Sequence, residues 1–248
     1  MQRYFVLEQS LEDNIITIQG EDAHHIYKVM RMKTGDTITC CFQDGRSAVC
    51  TLINSMNDTI QAQVTNWLQE VNELPVFVTI ASGLPKGDKL EYIVQKGTEL
   101  GASTFLPFVA SRSIVKWDDK KGKKKVERLR KIAKEAAEQS YRNQIPTVYE
   151  PVSFRTLVEK SQEYDVCIVA YEEDAKNHIH KELKEILLSL EPSNQVLVVF
   201  GPEGGLSKEE IMILVEKGFS RCSLGPRILR TETAPLYVLS TISYQFEL

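Results

Sequence analysis

Two glycine-bearing segments near the C-terminus carry residues whose types and spacing could do chemistry. In QVLVVFGPEGGLSKEE an apolar run ends at Phe200, and Gly201-Pro202-Glu203-Gly204-Gly205 then turns the chain. Ser207 follows, with Glu210 three residues on, the capping-box spacing that opens a helix. Glycines placed directly after a strand let backbone amides approach a ligand, and open α/β sheets bind ligands at that end of their strands. The pattern is neither the Walker motif nor the G-x-G-x-x-G dinucleotide motif. A carboxylate such as Glu203 would repel a phosphate, whereas it favours a cation or ribose hydroxyls. The alternative is a turn whose glycines serve packing alone.

In RCSLGPRILRTETAPLYVLS, Leu224 ends another strand, Gly225-Pro226-Arg227 makes a turn, and Arg230 and Thr231 precede a final helix. Thr233 is placed to cap that helix, and Pro235 fits its first turn, where no amide is needed. Two strand-to-helix loops so close in the chain can share one ligand crevice; the alternative for Arg227 and Arg230 is plain surface charge. A third group lies in SRSIVKW and EAAEQSYRNQIP. There Arg112 follows a strand, and Glu138, Gln139 and Arg142 crowd the end of a basic helix. Glu138 and Arg142 stand four apart, which also suits a simple helix-surface ion pair. His24, His25, His178 and His180 lack companions at metal-ligand spacing, so no metal site is expected.

The elements that must position these groups fall into two rhythms. Up to about residue 70, RYFVL, NIITIQ, DTITCCF, SAVCTLI and TIQAQVTNWL read as short strands, rich in β-branched and aromatic residues. Asp44-Gly45 is a hairpin turn signal, and EDAHHIYKVMRM reads as one helical insert. Short strands with a single helix suggest a small barrel, with a linker near Glu70 to Pro75. Beyond Pro75, strand candidates VFVTIA, TFLPFV, DVCIVAY, QVLVVF and RCSL alternate with helices. Their apolar residues recur at helical spacing: Leu90, Ile93, Val94, Gly97 and Leu100; Val126, Leu129, Ala133 and Ala136; Ile179, Leu183, Ile186, Leu187 and Leu190. Near-continuous apolar strands alternating with helices indicate a parallel sheet covered on both faces.

The chain has 248 residues, 42% apolar and 26% charged, as in an ordinary soluble globular protein. No secretory signal and no membrane-length apolar run is evident. The five cysteines form no C-x-x-C pair, and reduced thiols in a cytosolic protein are expected. Net charge is −4, yet Arg112 to Arg142 holds twelve Lys or Arg against five Asp or Glu, so the rest carries −11. A concentrated basic stretch can track a phosphate backbone, though a solvated helix face gives the same composition.

RYFV, EDAHHIYKVMRMKTGD, LPKGDKLEYIVQKGTELG, SRSIVKW, KIAKEAAEQSYRNQIP, GPEGGLS and SLGPRILRTETA together resemble the RsmE-type 16S ribosomal RNA (uracil-N3)-methyltransferases. The resemblance runs through nearly the whole chain. It implies an α/β fold of the SPOUT class: a knotted parallel sheet with helices on both faces over 73–248, preceded by a PUA-like β-barrel over 1–72. It implies S-adenosylmethionine as cofactor, with a sulfonium, an amine and hydroxyls but no phosphate. The pocket walls would be Phe200, Gly201, Pro202, Glu203, Gly204 and Gly205 on one side. Leu224, Gly225, Ile228, Leu229, Arg230 and Thr231 would form the other. The target base would lie near Arg112, Glu138, Arg142 and Arg230, and the RNA would be held by Arg3, His24, Lys28, Arg31, Arg46 and Lys86. Further implications are 16S ribosomal RNA within the assembled small subunit as partner, a homodimer, and a cytoplasmic location. Residues 1–70 carry five Lys or Arg against nine Asp or Glu, so any RNA face there must be local. Two other classes stay open on the residues alone: a non-catalytic RNA-binding protein acting in ribosome assembly, and a Rossmann-type nucleotide enzyme. Binding of S-adenosylmethionine separates them.

Overall fold

The computed structural model describes residues 1–56, 59–115, 117, 119–171 and 183–248, leaving aside the side chains of 56 and 119–121. The chain divides into two compact units, Met1–Glu73 with Ala137–Ile145, and Leu74–Ala136 with Pro146–Leu248.

The first unit holds β1 (Arg3–Val6), β2 (Leu11–Glu12), β3 (Ile15–Gln19), α1 (Gly20–His24), β4 (Thr37–Phe42), β5 (Ser47–Met56) and β6 (Thr59–Leu68). These strands form one six-stranded sheet in the order β1-β4-β5-β6-β3-β2. Alternate residues point inward, so Ile16 and Ile18, Ile38, Cys40 and Phe42, Cys50 and Leu52, and Ile60 and Ala62 share one core. At the Asp44-Gly45 turn, Gly45 has φ +87 and its amide donates to the Phe42 carbonyl. The expected helical insert is shorter than its pattern suggested. Five α-helical residues pass into a π-helical turn over His25–Val29, and Arg31 ends it with φ +53. Glu73 holds the 137–145 segment to this unit. Its carboxylate accepts from Arg142 Nε (3.0 Å) and Nη2, and from the amides of Asn143 (2.8 Å) and Gln144 (3.0 Å).

The second unit contains β7 (Phe77–Ser82), α2 (Lys89–Glu99), β8 (Thr104–Phe105), β9 (Phe108–Val109), α3 (Asp119–Gln139, its last three residues falling with the first unit), β10 (Thr147–Val148) and β11 (Val152–Ser153). It continues with α4 (Phe154–Lys160), β12 (Val166–Ala170), α5 (Leu183–Leu188), β13 (Gln195–Phe200), α6 (Lys208–Glu216), β14 (Ser220–Cys222) and α7 (Thr233–Glu247). Six strands form a sheet in the order β10-β8-β7-β13-β12-β14, every pair parallel. Period-2 alternation sends Val196, Val198 and Phe200 into one core and Leu197 and Val199 into another, and both cores are packed with helix side chains. That two-sided burial explains the unbroken apolar run of QVLVVF.

Several details differ from the sequence reading. TFLPFV is not one strand: it splits at Leu106-Pro107 into β8, in the main sheet, and β9, which pairs with β11. Proline offers no amide to a ladder, so continuous pairing stops there. Thr233 is not the cap of α7. It is already the first helical residue, Glu232 occupies the cap position without a side-chain bond, and the amides of Thr233 and Ala234 donate to the Arg230 carbonyl. The Ser207–Glu210 capping box is formed in full. His178, Ile179 and His180 lie outside the described residues.

Because Leu197 is fully buried on the second face of the sheet, Leu197→Ala should cost about 2–5 kcal/mol. Urea unfolding measures it. A loss below about 0.5 kcal/mol, the level of a surface change, contradicts the two-sided core.

Candidate active site

Three strands of the parallel sheet end at one cleft of about 360 Å³. Ala170 and Tyr171 come from the end of β12, Phe200 to Glu203 from β13, and Leu224 and Arg227 to Thr231 from the segment after β14. Lys89 of α2 and Ala234 of α7 complete the lining. β14 lies at the sheet edge, so the chain that follows it must run back across β12 to reach β13. Thr231 fastens that return, its Oγ1 donating to the Gly201 carbonyl at 2.7 Å. The two loops singled out in the sequence therefore share one crevice.

The glycines earn their places mainly by packing. A Cβ on Gly201 would come within 2.8 Å of the Gly205 carbonyl carbon, and one on Gly83 within 2.6 Å of Pro202 Cδ. Gly205 has φ +66 and donates its amide to the Pro202 carbonyl at 2.8 Å. At Gly204 a Cβ would lie 3.2 Å from Arg112 Cβ, and the Gly204 carbonyl accepts from Arg112 Nη1 at 3.0 Å. Of the expected pocket residues, Gly204, Gly205 and Gly225 are not among those lining the cleft. Gly225 instead lines a neighbouring, largely apolar groove of about 470 Å³ with Leu183, Leu187, Pro226, Tyr237 and Tyr244.

Glu203 is not the unopposed anion that its loop position suggested. Its Oε1 accepts from the Lys86 amide at 3.0 Å and from Lys89 Nζ at 3.0 Å, and the same ammonium stands 3.3 Å from Glu232 Oε2. Burial by itself would raise the Glu203 carboxyl, but the hydrogen bonds from Lys89, its own amide and the Lys86 amide outweigh it and hold the group below its ordinary range. Lys89 moves the other way, raised chiefly by its bond to Glu203 and then by that to Glu232, against the opposing effect of burial. One ammonium thus bridges two carboxylates at the mouth of the cleft. Arg230 extends from the same rim, its side chain 84% exposed and Nη1 4.0 Å from Glu232 Oε1.

The expected base-side residues divide between the units. Arg112 and Arg230 are exposed and belong to the second. Glu138 and Arg142 belong to the first, where Arg142 is almost wholly buried on Glu73 and its carbonyl accepts from Arg3 Nη1 at 2.7 Å. Arg142 and Arg3 are therefore occupied in holding the fold. Among the residues expected to hold RNA, Arg46 bonds both Glu8 and Asp44, while His24, Lys28, Arg31 and Lys86 are exposed. Tyr171, Lys89, Ala170 and Ala234 were missed as lining residues. Tyr171 carries the same signal that exposed Phe200 and Leu224, a position at the carboxyl end of an apolar strand.

A parallel sheet with a ligand-sized cleft at its strand ends is a common enzyme architecture, and the family comparisons are specific. The model described as an RNA methyltransferase domain matches residues 72–243, and that of an RNA methyltransferase PUA domain matches residues 18–65. The chain is 55% identical to ribosomal RNA small subunit methyltransferase E of Bacillus subtilis, covering 100% of this chain and 98% of that one. It is 35% identical to the protein of the same name from Synechocystis, covering 99% and 78%. A crystal structure of ribosomal RNA small subunit methyltransferase E from Neisseria gonorrhoeae bound to S-adenosyl methionine superposes with a TM-score of 0.87 at 26% identity, covering 99% and 98%. The chain belongs to the ribosomal RNA small subunit methyltransferase E family.

The Lys89 bridge makes a pH-dependent prediction. Glu203 titrates below its ordinary value, so its contribution to stability is present above the unfolded carboxyl pKa of about 4.3 and is lost as pH falls through the lowered value. Lys89 titrates above its ordinary value, so its contribution is present below about pH 10.4 and is lost as pH rises through the raised value. The stability gap between wild type and Lys89→Met should be widest between those limits and shrink at both ends, as read from unfolding midpoints across pH. A gap that does not vary with pH contradicts the bridge.

Proposed function

We propose that this chain transfers a methyl group from S-adenosylmethionine to N3 of a uridine in 16S ribosomal RNA. The observation that carries this reading is the cleft shared by the 200–203 and 224–231 segments, in a chain whose full length matches small-subunit ribosomal RNA methyltransferases. The cleft suits that cofactor. Phe200, Leu224, Ile228 and Leu229 offer apolar wall, the strand-end loops offer backbone groups, and Glu203, held by Lys89, offers a carboxylate on the lining. When bound, S-adenosylmethionine supplies a methyl carbon made electrophilic by its sulfonium.

The work of the protein is alignment and charge stabilisation. Holding two reactants in line can contribute on the order of 7–11 kcal/mol. Uracil N3 carries a proton that must leave before the nitrogen attacks, and the negative charge then spreads onto O2 and O4. Arginine keeps its proton and is a poor base, but a fixed guanidinium stabilises that charge as an oxyanion-hole donor does. Arg230, on the cleft rim, or Arg112, anchored on Gly204, takes this role. Arg142 serves by fixing its segment to Glu73 rather than by touching the base. The uridine is turned out of its stack to reach the cleft, and His24, Lys28, Arg31 and Lys86 contribute to holding the RNA. The reading includes the assembled small subunit as substrate, a cytoplasmic location, and a homodimer with the knot regions in contact. The return of the chain from β14 to β13 is the path on which a knot would be built.

Small ribosomal subunits from cells lacking this protein, incubated with it and labelled S-adenosylmethionine, should acquire one N3-methyluridine in 16S ribosomal RNA, identified by mass spectrometry of nuclease fragments. Label at another atom or base, or none, contradicts the assignment. Arg230→Ala or Arg112→Ala should lower the single-turnover rate by roughly 10²–10³-fold at saturating cofactor. An unchanged rate removes that arginine from the mechanism.

A further inference from the structure

We infer that the outward ridge of α3, centred on Lys124, Arg128 and Lys131, is a docking surface for the phosphate backbone of the substrate RNA, outside the cleft. This inference rests on the reading of 16S ribosomal RNA as substrate. α3 buries Val126, Leu129 and Ala133. Lys124, Arg128 and Lys131, at spacings of four and three, fall on the opposite side and are exposed. Lys123, Lys125 and Arg130 flank the ridge and are also exposed, and a helix of 21 residues is about 31 Å long. The array itself, from Lys123 to Lys131, rises about 12 Å along the helix, enough to meet two or three phosphates.

Helix stability does not account for this composition. Lys124 and Arg128 are like charges four residues apart, as are Arg130 and Lys134, and such pairs destabilise a helix. Opposite charges also stand at that spacing, Glu127 with Lys123 and Lys131, but no carboxylate stands four residues from Lys124 or Arg128. Arg128 reaches Glu91 at 2.7 Å yet remains 67% exposed on its side chain, so that pair leaves its guanidinium open to solvent. Lys125 lies over the Trp117 ring, 5.0 Å from its centroid. A polyanion relieves the mutual repulsion and releases its own counterions, which is the favourable term in binding nucleic acid.

Charge elsewhere sharpens the assignment. The chain outside residues 112–142 carries −11, so most of the remaining surface repels RNA at long range. Two of the basic residues expected to hold RNA in the first unit, Arg3 and Arg46, are already engaged within the protein. The α3 ridge falls within the stretch from Arg112 to Arg142 that holds twelve Lys or Arg, and its residues are not among those that line the cleft. It should govern affinity and orientation of the RNA without entering the methyl-transfer step.

The test uses the full chain, small subunits from cells lacking the protein, and salt. For the triple variant Lys124→Gln, Arg128→Gln, Lys131→Gln, the slope of log affinity against log salt should fall by about 2–3, at roughly 0.7–0.9 per lost phosphate contact. KM for the subunit should rise roughly tenfold or more at physiological salt, with kcat at saturating subunit unchanged. Glu127→Lys, which adds a cation to the same side, should steepen the slope and lower KM, a gain that misfolding cannot produce. Unchanged slope and KM in the triple variant overturn the docking surface. If wild type binds with the steep slope and the triple variant loses it, but neither methylates, the surface stands and the methyltransferase reading fails.

Discussion

A parallel sheet buried on both faces dictates where this molecule can put chemistry. Val196, Val198 and Phe200 fill one core and Leu197 and Val199 the other, so neither face of β13 has room for a ligand. Backbone amides and carbonyls within the sheet are consumed by the ladders. What remains is the carboxyl edge, where strands give way to loops and peptide groups become available. β12, β13 and β14 all end there, and the chain after β14 returns across that edge to be fastened by Thr231 on the Gly201 carbonyl. The cleft follows from the sheet, and its glycines follow from crowding among the loops that close it.

Electrostatics then decides what kind of ligand the cleft accepts. Lys89 spans Glu203 and Glu232, setting the loop after β13 against the entry to α7 through a single ammonium. Burial would raise the Glu203 carboxyl, but its hydrogen bonds from Lys89 and backbone amides hold it below its ordinary range, and the exposed guanidinium of Arg230 projects from the same rim. The exposed cation on this rim suits an acceptor that becomes negative. The glycine fingerprint of a dinucleotide site is absent from the loop after β13.

Much of this was legible in the chain itself because long apolar runs have few ways to fold. QVLVVF and TIQAQVTNWL coincide with β13 and β6, and the Ser207–Glu210 spacing marks the start of α6. Elements shorter than a period left no trace: β10 and β11, with two residues each, depend on partners distant in sequence. The strand read into TFLPFV failed because Pro107 interrupts the ladder, and the helical insert widened into a π turn after five residues. The ion pairs were hidden for a different reason. Arg142 lies four residues from Glu138, but its carboxylate partner Glu73 is 69 positions away, and Lys89 meets Glu203 only once α2 and β13 are packed. Local spacing names the charged residues that matter without saying which of them the fold has already spent.

The central claim is that the crevice between the 200–203 and 224–231 segments is the cofactor site. A crystal structure of this chain with S-adenosylhomocysteine, the demethylated product, tests it most directly. The account predicts the ligand lying against Phe200, Leu224 and Leu229. Density for the product at any other place, with this crevice empty, would contradict it.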